Sequence, residues 1–345
     1  MGADSTFPPV AEEPRAALPT LAAPGVLSRF AQRGAGWLRR QLQDPQRPLV
    51  AVEVRPRSVG VVRLAREGGR FVLGAAAALD LPPHCLDLSM VQANVVDAEG
   101  FRRTLRSVLE KSGVVEGARV GLVLPDPVAR VALLPAGEVA GRGRAQVEEL
   151  IRFRLRKSVP FDIREARLAF TSAGARATEA VMVVAIHMPV LDSYEEACRS
   201  VGLEPGLVEL SGLALLGATF GGGRTEDHLL VNWDEGYVTI LLARGEWPLL
   251  VRTLTGEPAA QPEQVAREVA NTVLYYRERL GGPGLAQAAL RSTALPFERA
   301  AAVLEEPLGM APVPVEPGRA LSSGVPSTMA QALAGAVASL TAGRA

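Results

Sequence analysis

Short apolar runs separated by turn residues dominate the chain from residue 50 onward. Val50–Val54, Val59–Ala65 and Phe71–Leu79 predict three consecutive strands, the first two joined by the turn Arg55-Pro56-Arg57-Ser58. The apolar spacing then lengthens to three and four residues. It predicts a helix over Asp97–Ser112, capped by Asp97, with Phe101, Leu105, Val108 and Leu109 on one face. Strands at Val120–Leu124 and Val128–Leu134 follow, joined by an Asp126-Pro127 turn. A helix over Gly143–Ser158 comes next, with Val147, Leu150, Ile151 and Leu155 on its buried side. Leu168–Thr171, Val181–Ile186 and Leu207–Glu209 read as strands, and Val190–Val201 and Ser211–Thr219 as helices.

After the hinge-like "GGGRTED", the opening theme returns. Leu229–Asn232, Val238–Ala243 and Leu249–Leu254 predict three strands, and Glu263–Leu280 a helix with Val265, Val269, Val273, Tyr276 and Leu280 along one stripe. A strand at Ala286–Leu290, a helix at Phe297–Leu304 and a strand near Val313 complete this half. Two halves that each open with a strand meander and then a helix point to an α/β fold built by internal duplication. Ahead of it, residues 1–24 read as a disordered tail rich in Pro and Ala. Residues 25–48 read as a basic amphipathic helix and linker: Val26, Leu27, Phe30, Trp37 and Leu38 are interleaved with Arg29, Arg33, Arg39 and Arg40. Such a stripe suits an anionic membrane surface, or packing on its own domain or a partner.

Composition narrows the function. The chain has 345 residues, 48% hydrophobic and 21% charged, enough for one large or two medium domains. Lys+Arg and Asp+Glu balance at 37 each, so no global field draws nucleic acid. Cys85 and Cys198 form no paired motif, which fits a reducing cytoplasm and neither a disulfide framework nor a metal site. No apolar run approaches the ~20 residues of a membrane span, and the proline-rich start lacks the apolar segment of a signal peptide.

Three stretches carry a resemblance: "QVEELIRFRLRKSVPFDIREARLAF", "VMVVAIHMPVLDSYEEACRSVGLEPGLVELSGLALL" and "LLVNWDEGYVTILLARGEWPLLVRTLTG". In order and spacing they resemble the PilM family of type IV pilus assembly proteins, FtsA-related members of the actin-like (ribonuclease-H-like) ATPase superfamily. The resemblance implies a duplicated actin-like fold. Its first domain would span 49–225, with an inserted subdomain at about 114–186, and its second 226–345.

Active members of that superfamily place an acid-x-Gly turn in the first hairpin, roughly "GIDIGSSSVKVVEL". At the matching positions this chain has Glu53 for the acid, Arg55 for the glycine and Gly60 for the lysine. In the second hairpin the matching Asp-Ile-Gly falls on Asn232-Trp233-Asp234, which puts a carboxylate where phosphate would approach and a neutral amide where Mg²⁺ would be anchored. The Gly-Gly turn that holds adenosine would follow Ala286–Leu290, where Arg291-Ser292-Thr293 stands. Arg55 and Arg57 offer charge for an anion, but loss of the site is the simpler reading, so neither ATP nor Mg²⁺ is expected as a cofactor.

No catalytic or metal-binding constellation emerges from the remaining motifs. Ser211 reads as a helix cap and Asp234-Glu235 as a solvated turn corner. The helix over Gly143–Ser158 carries a basic outer face with an aromatic among the charges, which makes Arg152, Phe153, Arg154, Arg156 and nearby Phe161 candidate partner-binding residues. The resemblance implies a non-catalytic cytoplasmic scaffold, peripheral to the inner membrane. It would bind the N-terminal tail of a PilN-like inner-membrane protein in a groove between its first two subdomains, with other pilus platform and motor proteins as further partners. It leaves a homo-oligomer open. The alternatives are an actin-like ATPase or kinase with residual nucleotide binding, or a GspL-like platform protein of type II secretion, which would carry a membrane helix after this domain.

Overall fold

The computed structural model describes residues 47–68, 70–171, 180–220, 225–245, 247–316 and 327–341. The expected tail at 1–24 and the basic helix beginning at residue 25 lie outside the described residues.

Two of the sheets, each five-stranded, share one plan. The first comprises β1 (Val50–Arg55), β2 (Ser58–Glu67), β3 (Arg70–Asp80), β4 (Arg119–Leu124) and β8 (Glu204–Leu210), in the order β3-β2-β1-β4-β8. The second comprises β9 (Asp227–Asp234), β10 (Tyr237–Arg244), β11 (Trp247–Thr255), β12 (Gln287–Ser292) and β13 (Val313–Pro314), in the order β11-β10-β9-β12-β13. In each, a three-strand antiparallel meander is extended by two parallel strands. The duplication expected from the sequence is therefore present strand for strand.

A period of two assigns the faces. On β1, Val50, Val52 and Val54 face the first core, with Phe101, Leu105 and Val108 of α1 (Ala98–Ser112) and Val190, Leu191 and Tyr194 of α3 (Met188–Arg199). On β9, Leu229, Val231 and Trp233 face the second core, with Val265, Val269 and Tyr276 of α5 (Pro262–Glu278) and Ala300 and Leu304 of α6 (Phe297–Leu308). α1 starts where Asp97 accepts a hydrogen bond from the Gly100 N–H at 2.9 Å, as its sequence predicts. The opposite faces carry Ala51, Glu53 and Arg55 on β1, and Leu230, Asn232 and Asp234 on β9. Between them pack α4 (Ser211–Phe220) and a last helix, α7 (Ala334–Thr341).

α7 was not expected, and it changes the domain division. It lies in the segment assigned to the second domain, yet Leu333, Ala336, Val337 and Leu340 pack on Ala51, Val62 and Leu64 of the first sheet. Residues Ala334 through Leu340 are all buried. A helix buried all round has no polar face, so no amphipathic period marks it in the sequence. The inserted subdomain also begins later than expected. β4 pairs in parallel with β1 inside the first sheet, and the insert's own sheet, in the order β5-β7-β6, is made of β5 (Ala129–Leu134), β6 (Ala166–Phe170) and β7 (Val181–His187). It is backed by α2 (Arg144–Leu155), whose Val147, Ile151 and Leu155 are buried.

Close approach ties α7 to β1. A Cβ at Gly335 would lie 2.5 Å from Glu53 Oε1, and one at Gly60 2.3 Å from Cδ2 of the buried Leu333. An exposed helical glycine gains about 1 kcal/mol on replacement by alanine. Gly335→Ala is expected instead to lower stability by about 2 kcal/mol in denaturant unfolding, because the added methyl displaces a buried carboxylate. A neutral or stabilising Gly335→Ala would show that α7 does not seat as described.

Candidate functional site: a charge network between equivalent hairpins

The β1–β2 and β9–β10 hairpins are equivalent in register. Arg55 pairs with Ser58 at the end of one, and Asp234 with Tyr237 at the end of the other; two residues earlier, Glu53 and Asn232 also correspond. Strand alternation puts all four side chains on the inner face, and Arg291, two residues after the buried Ala289 of β12, joins them. The whole set is buried: Glu53, Asn232, Asp234 and Arg291 have no exposed surface, and Arg55 keeps 8%.

Opposite charges from the two halves cross over. Arg55 holds Asp234 in a fork, Nε to Oδ2 at 3.0 Å and Nη2 to Oδ1 at 2.8 Å, and donates through Nη1 to Ser58 Oγ at 3.1 Å. The two side chains that replace the expected glycines are thus partners. Arg291 reaches the other way. Its Nη2 donates to Glu53 Oε1 at 2.7 Å and its Nε to the Gln331 carbonyl at 2.8 Å. Its Nη1 is shared among Asn232 Oδ1 at 3.0 Å, Ser211 Oγ at 3.1 Å and Asp234 Oδ2 at 3.3 Å. Glu53 Oε2 accepts the Ala336 N–H at 2.8 Å, so the same carboxylate that binds Arg291 anchors the first turn of α7. Asp126 closes the far side, accepting the Gly212 N–H at 2.7 Å and the Asn232 amide at 2.9 Å.

Burial and charge compete at each carboxylate. Burial pushes Asp234 up, but Arg291 and Arg55 outweigh it and hold the carboxyl at about 2. Burial dominates at Glu53 and Asp126, whose values stand above the usual carboxylate range despite the Arg291 guanidinium. For Arg55, the Asp234 charge and hydrogen bonds more than offset burial and raise the guanidinium further.

Several sequence readings are corrected here. Asp234 is no solvated corner: it sits at the centre of the network, while Glu235 meets Arg57 at the surface at 3.1 Å. Ser211, read as a cap, points its hydroxyl at Arg291 and Asn232. Arg291 belongs to β12 rather than to a loop after it. Arg291 and Asp126 were the participants missed as such; the signal available was an arginine two residues after Ala289, in phase with the inward side of the strand. The residues present do not suit a nucleotide with its metal. At the hairpin ends Asp234 is engaged by Arg55 and Arg291, Glu53 is engaged by Arg291, and the guanidinium of Arg291 lies between the hairpins.

A second feature lies at the far edge of the first sheet. A groove of about 680 Å³ separates β8 from β6 and β7 of the insert, with Leu168, Phe170, Met182, Val184, Leu207 and Leu213 on its walls and Arg144, Arg167, Glu195 and Glu209 around them. Among the described residues β8 and β6 are the end strands of their sheets, and consecutive residues of both line the groove. Arg144 stacks over Phe170, with its guanidinium carbon 5.0 Å from the ring centre. Glu209 is held at 2.9 Å by Arg47 and at 2.5 Å by Ser339 Oγ of α7.

None of the five residues expected to bind a partner lines this groove. Arg152 donates to the Ile163 carbonyl at 2.6 Å and pairs with Glu148 at 2.8 Å, and Arg154 pairs with Glu138 at 2.7 Å. Phe161 stacks on His187 at 4.7 Å. Phe153 is exposed, with Arg156 over its ring at 4.3 Å. The expected basic rim is therefore largely spent within the insert.

The paired five-stranded sheets, the insert after β4 and the facing hairpins define a protein of actin-like ATPase fold. No family model matches the chain. Among solved structures, it is similar to a chain of the "PilM-PilN type IV pilus biogenesis complex", at 19% identity over 86% of this chain and 98% of that one, with a TM-score of 0.69. A Bacteroides thetaiotaomicron protein of actin-like ATPase fold and unknown function matches at 9% identity over 80% and 93% of the two chains, with a TM-score of 0.46. The cytoplasmic domain of EpsL, an inner-membrane component of Vibrio cholerae type II secretion, matches at 12% identity over 86% and 98%, with a TM-score of 0.44.

The network predicts a specific pattern of stability. Arg55→Met or Asp234→Asn alone should each cost about 3 kcal/mol in denaturant unfolding, because each strands a buried group, and the double variant should recover a large part of the loss. Simple additivity would contradict the pairing. The depressed Asp234 carboxyl stabilises the fold above about pH 4, and that stabilisation is lost as pH falls toward 2. Asp234→Asn should therefore lose less stability over that interval than the wild type.

Proposed function

We propose that this chain is a non-catalytic scaffold of an inner-membrane pilus-type assembly platform, and that it captures the N-terminal tail of a PilN-like membrane protein. The observation that carries this reading is the groove between the end strands β8 and β6. An extended tail can add its backbone to a free strand edge while alternate side chains enter the apolar floor around Leu207, Leu213 and Met182. Arg144 and Arg167 supply polar contacts beside that floor. Likeness to a protein solved in a pilus biogenesis complex, over nearly its whole length, supports the same assignment. Among the described residues no helix is long and apolar enough to cross a membrane, which is consistent with a platform protein that reaches the inner membrane through its partner.

The scaffold needs no nucleotide. A ligand bound a thousandfold above its dissociation constant stabilises a protein by about 4 kcal/mol, a shift of several degrees in melting temperature. Millimolar Mg-ATP is expected to leave the melting temperature unchanged; a shift of several degrees would contradict this part of the proposal.

Tail capture is tested by fluorescence anisotropy with a labelled peptide from the N-terminus of a PilN-like protein encoded beside this chain. Leu207→Glu, which places a charge on the groove floor at a half-exposed position, should weaken binding at least tenfold, or about 1.4 kcal/mol. Phe153→Ala and Arg156→Ala should leave binding unchanged. The reverse outcome, with the folded Leu207→Glu protein binding normally and the insert variants failing, would move the site to the tip of the insert.

A further inference from the structure

The charge network joins three parts of the chain that no single sheet or helix connects. Glu53 and Arg55 come from the first sheet, Asp234 and Arg291 from the second, and the Gln331 carbonyl and Ala336 N–H from the C-terminal segment. Two charge pairs cross between the sheets in opposite senses, one arginine and one acid from each side. A two-domain fold closes on a ligand when that ligand touches both halves. Here the chain's own groups make those contacts, and each nitrogen of the Arg291 guanidinium already has an acceptor.

We infer that this network is a built-in ligand: Arg291 and its partners hold the two halves closed permanently and seat α7, so the molecule works as one rigid body without an open–closed cycle. The inference goes beyond the scaffold reading and holds whether or not the groove captures a tail. Opening the cleft would separate Arg55 from Asp234 and Arg291 from Glu53 together. Both separations would give up the forked Arg55–Asp234 pair, the Arg291–Glu53 bond and the packing of α4 and α7 between the sheets, so the closed state is held by charge and by apolar burial together.

Distance measurements between spin labels on the full chain test this. Glu110→Cys on α1 and Glu298→Cys on α6 place one exposed label on each half. The native Cys85 and Cys198 are buried, their thiols pushed up to about 11 and about 12 by burial, and so resist labelling. The labelled protein should give one narrow distance distribution that Mg-ATP does not alter. A second population, or a shift with Mg-ATP, would overturn the inference. Arg291→Gly removes the whole side chain and leaves space that admits free guanidinium. It should broaden the distribution and lower the melting temperature, and low-millimolar guanidinium, but not urea, should restore both. An Arg291→Gly protein with the wild-type distribution and melting temperature would show that the network does not hold the halves together. Should that variant fail to fold, the wild-type measurement alone still decides the question.

Discussion

A guanidinium without access to water is tolerable only when its charge is matched and its donors are used, and the middle of this molecule is arranged around that requirement at Arg291. Its bond to Glu53 fixes where the first sheet stands against the second. Its bonds to Asn232 and Asp234 fix β9 against β12, and its bond to the Gln331 carbonyl brings the C-terminal segment in between. Glu53 then passes the constraint to α7 through the Ala336 N–H. Removing one member leaves another charge buried and unpaired, which costs more than the pair contributes when whole. The substitutions at the two hairpins are therefore best understood together, since Arg55 and Asp234 occupy equivalent positions and satisfy each other.

The same constraint separates two regions that a two-domain protein of this fold could have used. The space between the hairpins is taken up by the chain's own charges. The edge of the first sheet is different: there, among the described residues, β8 and β6 are each the last strand of a sheet, and the groove between them has an apolar floor. One region is complete in itself and the other is unfinished. Glu209 lies on the unfinished side and is tied to Ser339 of α7, the helix whose first turn the network anchors. The groove wall thus rests on a helix held from the closed side.

Much of this was legible in the sequence. Strands such as β1 and β9 announce themselves through short apolar runs, and α1 through its stripe and its Asp97 cap. The repeated meander shows the duplication. That Arg55 and Asp234 stand at equivalent hairpin positions was visible too, because the two meanders align strand for strand. What remained hidden were relationships across distance. That Arg55 meets Asp234, or Arg291 meets Glu53, depends on which strand faces share the interior, and residues more than a hundred positions apart leave no local pattern. α7 escaped because a helix buried on every side shows no periodicity. The groove escaped because a free strand edge is a property of sheet order, whereas the basic face of α2, conspicuous in the sequence, is largely consumed by Glu138, Glu148 and backbone carbonyls.

Side-chain NMR of the Arg291 guanidinium, assigned with an Arg291→Lys variant, measures directly whether Arg291 is held in solution by these partners. A guanidinium fixed by Glu53, Asn232, Ser211, Asp234 and the Gln331 carbonyl cannot rotate freely, and its protons are shielded from water. Separate, slowly exchanging Nη signals are expected for Arg291, unmoved by addition of Mg-ATP. A single averaged, rapidly exchanging signal, or one that shifts with Mg-ATP, would contradict that expectation.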